Sequence, residues 1–431
     1  MKVAIIGAGW AGMAAAVKAT EAGHQVTIFE STQALGGRAR ALSRSPALVL
    51  PNGAPAPLDN GQHILIGAYT ETLQLMRLVG LSPEAALLDM PMTLQFPDGL
   101  GLAFANLPTP LDALVGILQA RGWSLADKWA LLRAALGWTL RGFRCEDNLS
   151  VAGLCQGLTP RVKAELIEPL CVSALNTLSE QASGQVFLRV LQDALLGVPG
   201  GSRLLLPKRD LSALLPDAAA SWVLARGGLL QLGQRVASLA THGQRWLVQG
   251  ELFDAVLLAT SAHHAAQIIH ASDLDVPTSI AAGVQHWVET AQALQHEAIA
   301  TVYAWAPQAS LPLAMLALRS SAAHPAQFVF DRGQLGGPAG LLAFVVSAAQ
   351  GERATLQAQV LAQARAQLDL DLEAVQTVVE KRATFACTPG LQRPPSTIAP
   401  GLLACGDYVA GPYPATLEGA VRSGAAAVAL L

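Results

Sequence analysis

Short apolar runs closed by glycine-rich turns open and end this chain, and longer apolar patterns with helical spacing fill the space between them. Val3 to Ile6 is a β-branched apolar run suited to a strand buried on both faces. Gly7-Ala8-Gly9-Trp10-Ala11-Gly12 follows directly, and the spacing then predicts a helix from Met13 towards Ala22, a C-cap at Gly23, and a second strand from Gln25 to Phe29 ending in Glu30. Similar strand signals recur after Arg226-Gly227-Gly228 towards Val236, at Phe253 to Thr260, and at Leu402 to Ala404 before Gly406-Asp407. Leu81 to Gln192 reads as mostly helical, whereas Tyr303 to Ala306, Phe328 to Asp331, Leu341 to Ser347 and Arg382 to Pro389 read as strands, with an amphipathic helix at Gly351 to Leu368. Ser43 to Leu58, rich in Pro and Ala, predicts a hairpin or loop. The expected organisation is α/β: a Rossmann-like parallel-sheet domain from 1–80, 200–262 and 390–431, interleaved with a mixed α+β substrate domain from 81–199 and 263–389.

Composition changes this picture in one respect. Of the 431 residues, 52% are hydrophobic and only 14% charged, against roughly 25% charged in ordinary soluble domains. Such a chain buries much, encloses an apolar ligand or touches a membrane. A net charge of -3 offers no electrostatic case for nucleic acid. No apolar run reaches the length of a membrane span. Lys2 followed by an apolar stretch imitates a signal peptide, but three spaced glycines and a strand ending in Glu30 argue against one. The cysteines Cys145, Cys155, Cys171, Cys387 and Cys405 are odd in number and lack a CxxC, which points to a reducing, cytoplasmic setting and to no metal site. His263-His264 has no companion ligands at metal spacing.

The opening unit carries the first candidate chemistry. Gly7 permits a sharp turn, Gly9 lets the backbone approach a pyrophosphate, and Gly12 lets the helix pack on the sheet, while the helix N-terminus faces the phosphates. Glu30 can accept hydrogen bonds from ribose hydroxyls, which favours an unphosphorylated ribose, that of FAD or NAD. Gly36-Gly37-Arg38 then suits a loop that wraps a diphosphate and offers it a guanidinium. Between Leu111 and Arg144, the basic residues Arg121, Lys128, Arg133, Arg141 and Arg144 interleave with Trp123, Trp129 and Trp138. That pattern suits a helix lying on a membrane surface, and equally a core helix pair with a solvated basic face.

Glu30 followed by Gly37-Arg38 resembles the paired signatures of the flavoproteins that include amine oxidases, phytoene desaturases and protoporphyrinogen oxidases, so the implied cofactor is FAD and the implied fold amine oxidase-like. In that likeness a backbone amide near Val236 contacts adenine and Asp407, after Gly406, meets the ribityl chain. The helix entered through Thr416 and Leu417 directs its dipole at the flavin ring. Asp59-Asn60-Gly61-Gln62-His63, Glu168-Pro169-Leu170-Cys171 with Ala174-Leu175-Asn176-Thr177, Ala383 to Gly390, and Tyr413 to Gly424 resemble, more narrowly, the squalene-associated flavoprotein desaturases, also described as hydroxysqualene dehydroxylases of hopanoid biosynthesis. Residues Tyr408 to Tyr413 depart from that pattern, where Thr or Trp is frequent.

The resemblance implies reductive removal of an allylic hydroxyl from an apolar polyprenyl substrate, with an electron donor the sequence does not identify. His63, Gln62 and Glu168 are the candidates to face that hydroxyl; Glu168 in so apolar a context needs a partner or a raised pKa. Three other readings stay open. A carotenoid or phytoene desaturase would run the redox chemistry in the oxidative direction. An amine oxidase would need a paired-aromatic cage, for which Tyr413 is the visible candidate. A prenyl-lipid carrier of the GDP-dissociation-inhibitor type would do no redox chemistry.

Overall fold

The apolar runs from both ends of the chain lie side by side in the computed structural model, which describes residues 1–42 and 48–431. One sheet runs in the order Thr397–Ala399, Leu402–Ala404, Ala255–Leu258, Lys2–Ile6, Gln25–Glu30, Leu229–Leu232, parallel except for its first edge strand. Ile6 is level with Phe29 and Leu258, Leu258 with Ala404, and Glu30 with Leu232. Gly7, Ser31, Gly233, Ala259 and Cys405 therefore leave the sheet along one edge, the carboxyl ends of five strands, where a parallel sheet offers its ligand crevice.

The helix Trp10–Glu21 covers one face of this sheet and the helix Leu417–Val428 packs beside it. Met13 and Val17 are wholly buried there, each contributing about 1.5–3 kcal/mol of apolar burial. Gly12 makes the arrangement possible, because a Cβ on it would lie 1.9 Å from the Gly7 carbonyl oxygen. The helix begins at Trp10, earlier than the spacing predicts, and Gly23 follows its last turn with φ +80°.

A second sheet is antiparallel, in the order Met315–Ala317, Phe328–Asp331, Leu341–Val346, His296–Trp305, Glu373–Phe385. Its side chains alternate as a pleat requires. Val302, Val329, Leu342 and Phe344 face the helix Arg353–Leu368, whereas Tyr303, Phe328, Phe330 and Ala343 face a core that also holds Ile6, Phe29 and Leu258 of the parallel sheet. The last strand begins at Glu373 rather than Arg382, because it pairs along almost the whole of His296–Trp305.

The region after residue 81 is largely helical, with helices Leu111–Gln119, Leu125–Leu140, Glu168–Leu175 and Gly184–Gln192. A π-helical turn at Lys163–Ile167 leads into Glu168–Leu175, and another at Asp193–Gly197 closes the helix Gly184–Gln192. Pro169 stands just beyond the first of these turns, so the chain stays helical from Pro160 to Leu175 with a widened turn beside the proline. Two features were not legible as such. Leu65–Ile66 is a short strand paired with Leu204–Pro207, so Asp59 to His63 opens onto a strand and the next helix starts at Thr70. Ala240–His242, Arg245–Val248 and Glu251–Phe253 form a small meander. Of the expected Ser43–Leu58 loop, residues 43–47 lie outside the described residues; beyond them the Leu50 and Ala56 amides bond the Ala54 and Leu48 carbonyls in a tight turn. Among the described residues no helix is long and apolar enough to cross a membrane.

Candidate active site

At the carboxyl edge of the parallel sheet, Gly7 (φ +110°) donates its N–H to the Phe29 carbonyl at 2.8 Å and turns the chain towards Glu30. The buried Glu30 carboxylate accepts from the Ala8 amide at 2.9 Å with one oxygen and from the Thr32 amide at 2.9 Å with the other. The Gln234 amide donates to the Glu30 carbonyl at 2.8 Å, which brings the loop carrying buried Val236 alongside. Gly36 donates to the Ala8 carbonyl at 2.9 Å, and the Trp10 indole to the Ala39 carbonyl at 3.0 Å, so the two glycine loops form one wall. Gly37 stands against Gly9 in that wall, and a Cβ on Gly9 would meet nothing nearer than 3.9 Å. The Gly9 backbone thus stays open to the close approach of a ligand.

Arg38 joins this wall to the end of the chain. Its guanidinium pairs with Asp407 and donates to the Ala383 carbonyl at 2.8 Å. Beyond Asp407 the backbone is strained: Tyr413 and Ala415 have φ of +58° and +59°, conformations that cost about 1–3 kcal/mol each and cluster where function needs them. Thr416 caps the following helix, accepting from the Gly419 amide at 3.0 Å and donating to the Tyr413 carbonyl at 2.8 Å, and Leu417 is the first helical residue.

The Asp59-to-His63 segment crosses from this wall to the antiparallel sheet. The Asn60 side-chain amide donates to the Arg38 carbonyl at 2.7 Å and its oxygen accepts from the Arg40 amide at 3.0 Å. Gln62 Oε1 accepts from Arg332 Nη1 at 3.1 Å. His63 Nδ1 lies 3.1 Å from the Gly61 carbonyl, which can only accept, so Nδ1 carries the proton and Nε2 the lone pair. Burial holds His63 below its ordinary 6.5, with the Arg38 charge acting the same way. At neutral pH the ring accepts a hydrogen bond at Nε2 and has no proton there to give.

Sequence reasoning missed the partners of this segment. Buried Asp59 accepts the Leu211 amide at 2.9 Å, and its backbone carbonyl accepts the Tyr303 hydroxyl at 3.0 Å. Burial pushes the Asp59 carboxyl up to about 7, against the opposing effects of the Leu211 bond and the Arg332 charge. Arg332 has no local signature beyond ending an apolar strand, and it stands 270 positions from Gln62. The hydroxyls of Thr301 and Tyr408 are buried without a partner.

Glu168 lies apart from this cluster. Its carboxylate accepts from the Ser179 hydroxyl at 2.6 Å, and burial pushes its pKa up, opposed by that bond. No hydrogen bond links it to Gln62 or His63. Asn176 explains part of the neighbouring motif: its amide donates to Thr384 at 2.9 Å and accepts from the Ala348 amide at 2.7 Å, fastening the helix end to the antiparallel sheet. A further aromatic contact was also unforeseen: Tyr69 meets Tyr413 edge to face, with ring centres 6.3 Å apart and planes at 78°.

These residues fit a dinucleotide flavin. The acidic strand end, the open Gly9 backbone, the Arg38–Asp407 pair and the Asn60 segment follow one another through direct contacts, Ala8 to Glu30, Gly36 to Ala8, Gly37 to Gly9 and Asn60 to Arg38. The Thr301 and Tyr408 hydroxyls are buried without a partner.

The chain matches the sequence profile of the flavin containing amine oxidoreductases over residues 10–431. It is 28% identical to a hydroxysqualene dehydroxylase of Rhodopseudomonas palustris, across 98% of this chain and 96% of that one. A zeta-carotene desaturase of Synechocystis is 36% identical, but over 80 residues that make up 19% of this chain and 15% of the desaturase. Among solved structures, an oxidoreductase from Methanosarcina mazei superposes with a TM-score of 0.73 at 16% identity, covering 100% of both chains.

Proposed function

The chain belongs to the flavin containing amine oxidoreductases, and from that premise we propose that it is a hydroxysqualene dehydroxylase. It is an FAD-dependent oxidoreductase acting on a long isoprenoid, and the proposed reaction replaces the allylic hydroxyl of hydroxysqualene by hydrogen to give squalene. The observation that carries this reading is likeness to a hydroxysqualene dehydroxylase along nearly the whole chain, where likeness to the carotene desaturase stops at a fifth of it.

The cofactor unit in this reading comprises 1–80, 200–262 and 390–431, with 81–199 and 263–389 enclosing the substrate. Gly7, Gly9 and Gly37 would line the diphosphate, Gly12 would let the helix facing it pack close, Arg38 would complement its charge, Glu30 would hold ribose, and the Val236 amide adenine. Gly406, Asp407, Thr416 and Leu417 would hold the ribityl and ring end. Reduced FAD supplies a hydride when bound. The remaining chemistry belongs to the chain: a proton must reach the departing hydroxyl, so that it leaves as water, and bulk water must stay out.

Gln62 is oriented by Arg332, which occupies its oxygen; one of its N–H groups reaches the His63 carbonyl at 3.4 Å, and the other would donate to a guest oxygen. His63 Nε2 would accept the substrate O–H and so fix its lone pairs. Glu168, whose pKa is pushed up by burial, is the chain's proposed acid, and since it has no hydrogen bond to Gln62 or His63 its proton would reach the hydroxyl through a relay. A separate electron donor restores reduced FAD. Contact of 111–144 with a membrane belongs to the same proposal, since so apolar a substrate resides in one.

The Tyr69–Tyr413 geometry weighs against the amine oxidase reading. An amine cage needs two rings flanking a gap, and an edge-to-face contact leaves none. A carrier without redox chemistry would not need Glu30, Arg38 and Asp407 on one path. The test is anaerobic incubation of the purified protein with dithionite-reduced FAD and hydroxysqualene. Squalene by mass spectrometry is the expected product. No squalene, together with turnover of a carotenoid precursor, would replace this reading by the desaturase one, and a protein that takes up no FAD would favour the carrier.

A further inference from the structure

The helices Leu111–Gln119 and Leu125–Leu140 turn their apolar stripes outward. On the first, Leu111, Leu114 and Leu118 recur at helical spacing on the exposed side, while Ala113, Gly116 and Ile117 face inward. On the second, Leu125, Trp129, Leu136 and Leu140 are 86%, 68%, 60% and 79% exposed, and Leu131 and Trp138 are buried. Together with Leu107, eight of the 15 large apolar side chains exposed among the described residues fall within 107–140. The Lys128 ammonium donates to the Leu118 carbonyl at 2.7 Å, which sets the end of the first helix beside the Trp129 turn. A contiguous apolar surface of this kind marks a contact site.

Charge decides what covers it. Residues 107–144 carry five basic side chains and two acidic ones, in a chain whose net charge is -3. Both carboxylates are buried: Asp112 accepts from Ser202 at 2.8 Å, and Asp127 closes a capping box with Ser124 and accepts from Thr159 at 2.6 Å. Arg121, Arg133, Arg141 and Arg144 are exposed, and among the described residues none of them is in an ion pair. The two helices therefore present leucine and tryptophan with positive charge alone, and exposed Glu146 and Asp147 follow only after the second helix has ended. A second copy of the same helix face would bring its arginines together with no exposed carboxylate on either helix to neutralise them.

We propose that the 111–140 helix pair seats on a bilayer of anionic lipid, its leucines and Trp129 in the acyl boundary and Arg121, Arg133, Arg141 and Arg144 at the headgroup phosphates. This rests on the isoprenoid reading only for its purpose, the uptake of a substrate dissolved in the bilayer; the docking itself is independent of the chemistry.

The FAD-loaded full-length protein is floated with vesicles of phosphatidylglycerol and phosphatidylethanolamine, and separately with phosphatidylcholine alone. It should rise with the anionic vesicles, be released by high salt, and stay largely behind with phosphatidylcholine. The triple variant R133Q/R141Q/R144Q should lose about fivefold in partitioning per arginine. L125Q/W129Q/L140Q should remain in solution with either lipid. Both variants should keep wild-type FAD absorbance and wild-type turnover of detergent-dispersed hydroxysqualene, which separates docking from the reaction. Equal flotation of wild type and variants, equal binding to both vesicle types, or a wild-type dimer that the leucine variant dissociates would overturn the proposal. Absence of detergent turnover in the wild type would strike the dehydroxylase reading alone.

Discussion

The helix Trp10–Glu21 buries nine of its 12 residues, whereas Leu125–Leu140 buries three of 16, although both are built mainly from Ala, Leu, Val, Met and Trp. The difference lies in side-chain size and neighbours. The first helix carries Gly12 and a run of alanines, so the Gly7 turn, the parallel sheet and the helix Leu417–Val428 can all come close. Gly424 meets the first helix so tightly that a Cβ on it would lie 2.3 Å from the Ala11 carbonyl. The second helix buries Leu131 and Trp138 on one side only, and at its one glycine, Gly137, an added Cβ would meet nothing within 4 Å, so no neighbour comes close there. Apolar content makes a helix fit for burial; small residues at the contact decide how many neighbours it accepts.

Gly12→Val should break the first arrangement outright. A Cβ only 1.9 Å from the Gly7 carbonyl oxygen is expected to cost more than about 3 kcal/mol, and urea unfolding with FAD absorbance should show a destabilised, flavin-free protein. Wild-type stability there would refute the close-packing explanation.

Where the two sheets meet, substitutions should affect chemistry before stability. Gln62→Ala and His63→Ala, which would loosen the hold on the substrate hydroxyl, are each expected to lower kcat by about 10²-fold, with FAD still bound. Because His63 is held below 6.5 and is needed neutral, activity should rise with pH through a midpoint lower than that, and the His63→Gln variant should lose this limb. Unchanged turnover in both variants would remove them from the site.

Asp59 provides a stability test of the same junction. Its carboxyl is raised from 3.8 to about 7 on folding, so the folded chain keeps a proton that the unfolded chain releases. The resulting stability is whole below the unfolded value and declines as pH rises towards 7, by roughly 4 kcal/mol at most. The stability difference between wild type and Asp59→Asn should fall across that window and be flat above it. A difference independent of pH would show that the carboxyl is not buried as described.

The smallest effect is expected on the outer helix. Leu136→Gln or Leu140→Gln should change stability in aqueous solution by no more than about 0.5 kcal/mol. A loss of several kcal/mol would mean that this face is covered in the folded protein, and the contrast between the two helices would fail.

Much of the architecture was legible because its signals are local. A β-branched run, a glycine turn and an acidic strand end lie within Lys2 to Glu30, and the Gly406-Asp407 strand end is equally compact. The pairings that shape the candidate site are not local. Nothing near Gln62 announces Arg332, and nothing near Tyr413 announces Tyr69, since each contact exists only once the antiparallel sheet or the last helix is in place. Leu65–Ile66 was read past for the same reason: two residues make a strand only against Leu204 and Leu205. Between Leu111 and Arg144 the interleaving of basic residues with leucine and tryptophan was visible, but it could not say whether protein or a membrane lay against the apolar side.

The claim on which the rest depends is that hydroxysqualene takes up the hydride of the bound cofactor. Holoenzyme reduced with one equivalent of dithionite under argon, then titrated with hydroxysqualene, reports this through the oxidised-flavin absorbance. Recovery of that absorbance in step with squalene, one molecule for each flavin, is the expected result. A cofactor that stays reduced while hydroxysqualene is recovered intact would contradict it.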